Sequence, residues 1–240
     1  MKKMDVDWKK ITLYIKIGIV GAVLVLMGDF LMGWGVRQPR PSLLESQASL
    51  FCDISDIRMV ASALLGMVGV PIACLGHFGI YTLLKPYSKK YSRLYAIGLL
   101  GFLSCGGAGM HLGSVGAGFF YKSMVVQDSA FALVFAEKYA LYFLLPLYLV
   151  MIISWGLMVY AQLAAVLKGF SPYPKHCWAI SMAIGTTLGY VVGLFGNLAL
   201  ANAIVLGAFS IGNVWSLVGH VLFLDEAQQK YEQDYSGQFD

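Results

Sequence analysis

GLLGFLSCGGAGMHLGSVGAGFF, residues Gly98–Phe120, is apolar enough to cross a bilayer, yet glycine occupies positions 98, 101, 106, 107, 109, 113, 116 and 118. Soluble helices avoid that composition, because each interior glycine costs about 0.5–1 kcal/mol relative to alanine. In a membrane, small residues let neighbouring backbones approach, and Gly109 and Gly113 stand at the GxxxG spacing of such contacts. His111 lies between them. An ionisable side chain on an apolar span is expensive to keep there and marks a functional site. We therefore read this stretch as the central packing helix of a membrane protein.

The rest of the chain agrees with that class. Of its 240 residues 58% are hydrophobic and 12% are charged, and the mean hydropathy is +0.70. An average soluble domain carries about 25% charged residues, so roughly half of the usual charge is missing. Apolar runs of span length follow one another without amphipathic periodicity. The expected fold is all-α: a single polytopic transmembrane domain over residues 1–240. Its spans fall at about Ile11–Gly35, Arg58–Leu84, Leu94–Tyr121, Tyr139–Lys168, His176–Phe195 and Leu200–Leu224. The basic start and first apolar run superficially resemble a signal peptide, but the run is long and lacks a cleavage site, so it reads as a retained anchor.

Between the spans the punctuation is specific. Lys85-Pro86 stops the second helix. Asp128-Ser129 caps a short interfacial helix through Lys138, and Pro146 kinks the fourth span. Gly196-Asn197 marks a tight hairpin, Arg37 to Ile57 reads as a polar loop, and the C-terminal tail reads as polar with little structure. Twelve lysines and arginines fall on one side of the spans: Lys2, Lys3, Lys9, Lys10, Lys16, Lys85, Lys89, Lys90, Arg93, Lys168, Lys175 and Lys230. Arg37, Arg40, Arg58, Lys122 and Lys138 fall on the other. The positive-inside rule then puts both termini in the cytoplasm of a multi-pass cell-membrane protein, with a bacterial cytoplasmic membrane as the expected location.

Counting residues from span ends sorts the polar side chains by depth. Asp29 lies about 9 Å below the outer interface and His111 about 15 Å. Arg58, Glu137, Asn197 and Asn202 fall on the same side, so the expected ligand-binding layer is Asp29, Arg58, His111, Glu137, Asn197 and Asn202. An unpaired carboxylate facing lipid is costly, so Asp29 must be paired, protonated or turned inward, with Arg58 its expected ion-pair partner. His111, with Asp29 or Glu137, is the candidate for acid–base catalysis. His77 and His220 belong to a deeper layer and read as anchors of helix ends. The span histidines do not share a depth, which argues against one tetrahedral zinc centre, and no metal or cofactor is expected. The four cysteines, at 52, 74, 105 and 177, have neither CxxC nor Cys/His ligand spacing.

Gly185, Gly189 and Gly193 form a stripe along the fifth span. Such a stripe serves either internal packing, the preferred reading, or a homo-oligomer face. The chain has no basic stripe interleaved with aromatics, so nucleic acid is not an expected partner.

GDFLMGW (Gly28–Trp34) and DIRMVASALLGMVGVPIACLGHFGIYTLL (Asp56–Leu84) resemble a family of uncharacterised bacterial membrane proteins, a domain of unknown function. In that family a Gly-Asp pair ends the first span and an acidic element with arginine opens the second. The resemblance implies about this chain length and six spans, singles out Asp29 and Arg58, and carries no activity. The leading functional expectation is a non-enzymatic protein that binds or moves a small molecule, lipid or ion through an outward-facing polar pocket. One alternative is an intramembrane lipid-modifying enzyme using His111 with Asp29 or Glu137. The other is an accessory or assembly subunit docked through the glycine stripe.

Overall fold

Asp7 accepts a hydrogen bond from the Lys10 amide (3.0 Å) and so starts the first long helix, α1, Trp8–Gly33. The computed structural model describes residues 6–39 and 43–236; Lys2, Lys3, Arg40 and Pro41 lie outside them. After α1 come α2 (Leu43–Cys52), α3 (Asp56–Leu84), α4 (Lys89–Gly101), α5 (Ala108–Val125), α6 (Ser129–Tyr139), α7 (Leu145–Leu167), α8 (Met182–Val192), α9 (Ala199–Leu206), α10 (Ala208–Leu222) and α11 (Leu224–Ser236). No strand occurs among the described residues. The expected signals act where they stand. The α3 helix ends at Leu84, Asp128 caps α6 by accepting from the Phe131 amide (3.0 Å), and Gly196 turns the chain with φ +93°.

Among the described residues, four helical stretches are long and apolar enough to cross a membrane: Trp8–Gly33, Asp56–Leu84, Lys89–Val125 and Ala130–Leu167. A fifth is reached if α9 and α10, bent by 66° at Gly207, form one crossing. The protein is therefore membrane-embedded. The fifth expected span is shorter than its hydropathy suggests. Residues Lys175–Ile180 wind as a 3-10 turn, and the apolar helix Met182–Phe195 is only about 21 Å long.

Two long stretches contain π-helical segments, Phe102–Gly107 between α4 and α5 and Ala140–Leu144 between α6 and α7. In the second, Pro146 in the first turn of α7 offers no amide to the ladder, and the wider turn absorbs the kink. The short interfacial helix and the fourth span are thus one continuous helix. The supposed polar loop contains α2. The C-terminal tail folds as α11, which buries Ala227 and Tyr231.

The Gly98–Phe120 stretch is not the centre of the molecule. That place belongs to the pair α1–α3. A Cβ on Gly18 would strike the Gly76 backbone, and one on Gly21 would strike Ala73, so the two helices touch along their backbones. In the best span-length window of α3, 44% of residues are buried, against 20% for Lys89–Val125. Gly109 and Gly113 face Leu147 and Leu144 at the side of the bundle. The stripe on α8 is used inside the chain: Gly185 meets Trp215 and Gly212, Gly189 meets Ala208, and Gly193 meets Val205. Those three glycines therefore serve packing within the chain.

One end of the bundle gathers the basic loops and the start of α1. The Trp8 and Tyr231 rings lie 5.7 Å apart, the Tyr87 hydroxyl donates to Asp234 (3.2 Å), and Lys230 donates to the Ser171 carbonyl (2.9 Å). The other end holds the α1–α2 connection and the Gly196 turn, where the Asn197 amide donates to the Arg37 carbonyl (2.7 Å).

Candidate functional site

The site begins with an absence of side chains. Gly28 on α1 and Gly66 on α3 leave a slot between the helices, and α5 fills it with the His111 ring. A Cβ at Gly66 would collide with the ring, and one at Gly28 would lie 3.3 Å from its Cε1. Seated there, the His111 Nε2 is 2.9 Å from the Ser62 carbonyl oxygen, which can only accept, so Nε2 carries a proton. The Ser62 hydroxyl lies 3.2 Å from the same nitrogen and donates to the Gly28 carbonyl (2.7 Å).

The other ring nitrogen, Nδ1, is 3.3 Å from Asp29 Oδ1, and Asp29 Oδ2 accepts from the Ser210 hydroxyl (2.6 Å). A bare lone pair cannot face a carboxylate stably at that distance. A second proton therefore sits on the Asp29–His111 axis, as an imidazolium facing a carboxylate or as a carboxylic acid facing a neutral ring. Either way the pair is neutral overall. Both side chains are close to buried, at 16% exposed for Asp29 and 10% for His111.

This pair forms one wall of a cavity of about 370 Å³ between α1, α2, α3, α5, α7, α8, α9 and α10. Most of the remaining lining is apolar, including Val25, Val70, Phe102 and Phe209. Towards the α1–α2 end the lining turns polar with Arg37, Gln47 and Asn202. Met110 and Tyr148 also line a second hollow, an open groove of about 510 Å³ walled by Ala140, Leu141, Leu144 and Leu145. Those two side chains thus stand between the chamber and the outer surface of the helices.

The six expected ligand residues separate. Asp29, His111 and Asn202 line the chamber together. Arg58 does not pair with Asp29. Its guanidinium donates to the Leu31 (2.7 Å) and Trp34 (3.1 Å) carbonyls and so satisfies the C-terminal end of α1. Asn197 is exposed, and its side chain holds Arg37 by both backbone groups, accepting from the amide (2.9 Å) and donating to the carbonyl. Asn202 donates to the Gly35 carbonyl and to the Asn197 Oδ1, both at 2.8 Å. Glu137 is exposed at the groove and does not reach the chamber, so it is not a partner of His111.

Three contributors do not stand out in the sequence. Ser210 closes the carboxylate shell, Gly66 makes room for the ring, and Arg37 supplies the cation of the chamber. Gly28 is the only nearby glycine with a prior signal, as the first member of the Gly-Asp pair.

His77 and His220 are fully buried and are not interfacial anchors. His77 contacts the Tyr95 hydroxyl (2.8 Å) and Asn213 Oδ1 (2.9 Å), while His220 donates from Nδ1 to the Ser216 carbonyl (2.7 Å) and faces Gln162 (3.3 Å). Each has partners for both nitrogens, which is the arrangement of core histidines. Among the described residues no group of three His, Cys, Asp or Glu side chains converges as a metal site.

No curated protein and no solved structure matches the chain. A family model does, over residues 1–227, spanning the glycine slot, the Asp29–His111 pair and the whole chamber. The chain belongs to the family described as "Family of unknown function (DUF6796)".

Proposed function

We propose that the protein binds an amphiphilic small molecule, a membrane lipid in the first instance, within the chamber between α1, α5, α7 and α10. The observation that carries this is the chamber itself: about 370 Å³, mostly apolar, with a neutral Asp29–His111 pair on one wall and polar groups at one end. Such a space suits a molecule with an apolar body and a polar head. The groove beyond Met110 and Tyr148 is apolar and faces outward, so a lipid tail can enter sideways from the hydrocarbon without crossing water.

An acid–base enzyme is the reading that the same pair next suggests. Against it, both nitrogens of His111 are already committed to Ser62 and Asp29, leaving none to meet a substrate.

We place both termini in the cytoplasm of a cell membrane, with α8 and the bent α9–α10 pair completing six crossings. Support comes from parity: α1 starts, and α11 lies, at the same end of the bundle, in keeping with an even number of crossings. The basic loops gather at that end, as the positive-inside rule demands of the cytoplasmic face.

The binding proposal is tested by counting lipids retained on detergent-purified protein by native mass spectrometry. Wild type should keep about one lipid per chain, and Ser114→Trp, which fills the chamber, should lose it. Leu112→Trp, on the exposed face of the same helix, should not. Equal retention by Ser114→Trp and wild type would sink the proposal.

A further inference from the structure

The chamber has an unbalanced charge. Among the described residues its ionisable lining consists of Asp29, His111, Arg37 and the phenols Tyr148 and Tyr190. The Asp29–His111 pair shares one proton and contributes nothing net. Arg37 is left. Its Nε is buried and has no hydrogen-bond partner, and no carboxylate among the described residues lies within 4.0 Å of its guanidinium. Removing part of a guanidinium from water without a partner costs free energy, of the order of 1–3 kcal/mol for an unmet buried donor.

The backbone at this position is nevertheless fixed with care. The Arg37 amide and carbonyl are both bonded to Asn197, which is itself bonded to Asn202, and the Gln38 amide donates to the Ser49 hydroxyl (2.8 Å). A held backbone that presents a half-buried cation, without a carboxylate partner, to the chamber offers a place for an anion's charge. Arg58, another described arginine at this end, makes the contrast, because both of its contacts satisfy helix carbonyls.

We infer that Arg37 recognises a singly charged oxyanion, a phosphate diester or a carboxylate, so that the ligand of the chamber is an anionic amphiphile. This rests on the chamber being a binding site, as proposed above. Arg37 offers the planar donor geometry that suits carboxylate and phosphate oxygens. The Gln47 amide lines the same end and gives a further donor. A neutral zwitterionic head would place a second cation beside Arg37, whereas a monoanionic head brings the chamber to neutrality. The charge could arrive on a lipid or as a free anion, and the two are separable.

The test compares wild type, Arg37→Gln and Arg37→Lys, each checked for a single gel-filtration peak. Native mass spectrometry with equal phosphatidylglycerol and phosphatidylcholine of the same chains reads lipid choice. Thermal unfolding with millimolar inorganic phosphate reads free-anion binding. Surface lysines attract anionic lipid in all three proteins, so only the difference between variants counts. Wild type should prefer phosphatidylglycerol by about tenfold over Arg37→Gln, with Arg37→Lys retaining part of the preference. Protection by phosphate that Arg37→Gln loses, without lipid preference, supports the same site with a free anion as its ligand. Equal behaviour of wild type and Arg37→Gln in both arms overturns the inference while lipid is still retained. Retention of neither lipid nor phosphate by wild type overturns the chamber reading as well.

Discussion

At the scale of single residues, the His111 ring is held by what its neighbours lack. A methyl group at Gly66 would overlap the imidazole that reaches Ser62 and Asp29. Gly66→Ala should therefore lower stability by about 1–3 kcal/mol, the usual cost of overpacking. Gly156 gives the control, because nothing lies within 4 Å of a Cβ placed there. Gly156→Ala should be neutral or up to about 1 kcal/mol stabilising through helix propensity. Thermal unfolding in detergent measures both, and equal effects would mean that the slot is not needed. That Asp29 and His111 belong to one half of the bundle was legible in the sequence, since residue counts put them about 9 and 15 Å from the outer interface. Those counts did not set His111 above Arg58 as the partner of Asp29. Nor was the partner of Arg58 legible. Its acceptors are the Leu31 and Trp34 carbonyls, and backbone groups leave no trace in side-chain pattern.

Among the elements, the glycines divide into seams with different owners. Those of α1 and α3 bring two backbones together at the centre, and those of α8 receive α9 and α10. Gly189 lies against Ala208, with the added Cβ only 3.0 Å from that residue's Cα, so Gly189→Leu should reduce the yield of folded protein. The oligomeric state of whatever folds, read by light scattering, should stay as in wild type. Normal yield with altered oligomers would return the stripe to the surface. Composition alone ranked Gly98–Phe120 above these helices because it counted glycines without knowing which way they faced. It also merged α9 and α10, since the 66° bend at Gly207 interrupts direction but not hydropathy. The caps at Asp7 and Asp128 were readable because they are local, side chain to amide three residues on.

For the whole molecule, topology is the quantity to measure. In a cysteine-free background, Val126→Cys lies in the exposed turn between α5 and α6, and Lys90→Cys lies at the start of α4. A membrane-impermeant maleimide should label Val126→Cys in intact cells and Lys90→Cys only after lysis. The reverse pattern would invert the orientation, and labelling of both in intact cells would break the even count of crossings. The apolar faces were legible at this scale because charge segregates by side of the membrane. The chamber was not, because its walls come from eight helices and none carries more than a few of its residues.

The slot that holds His111 also has an order in time. Gly28, Asp29, Ser62 and Gly66 all precede residue 67, so the α1–α3 hairpin can close on the membrane while residue 111 is still inside the ribosome. The imidazole thus meets a slot whose glycines and Ser62 are already in place, with Ser210 still to close the shell of Asp29. The α5 helix is indexed against its neighbours by a single side chain entering from the edge. A chain that fails this step would carry a correctly inserted hairpin and a loosely attached remainder, a defect of assembly rather than of insertion.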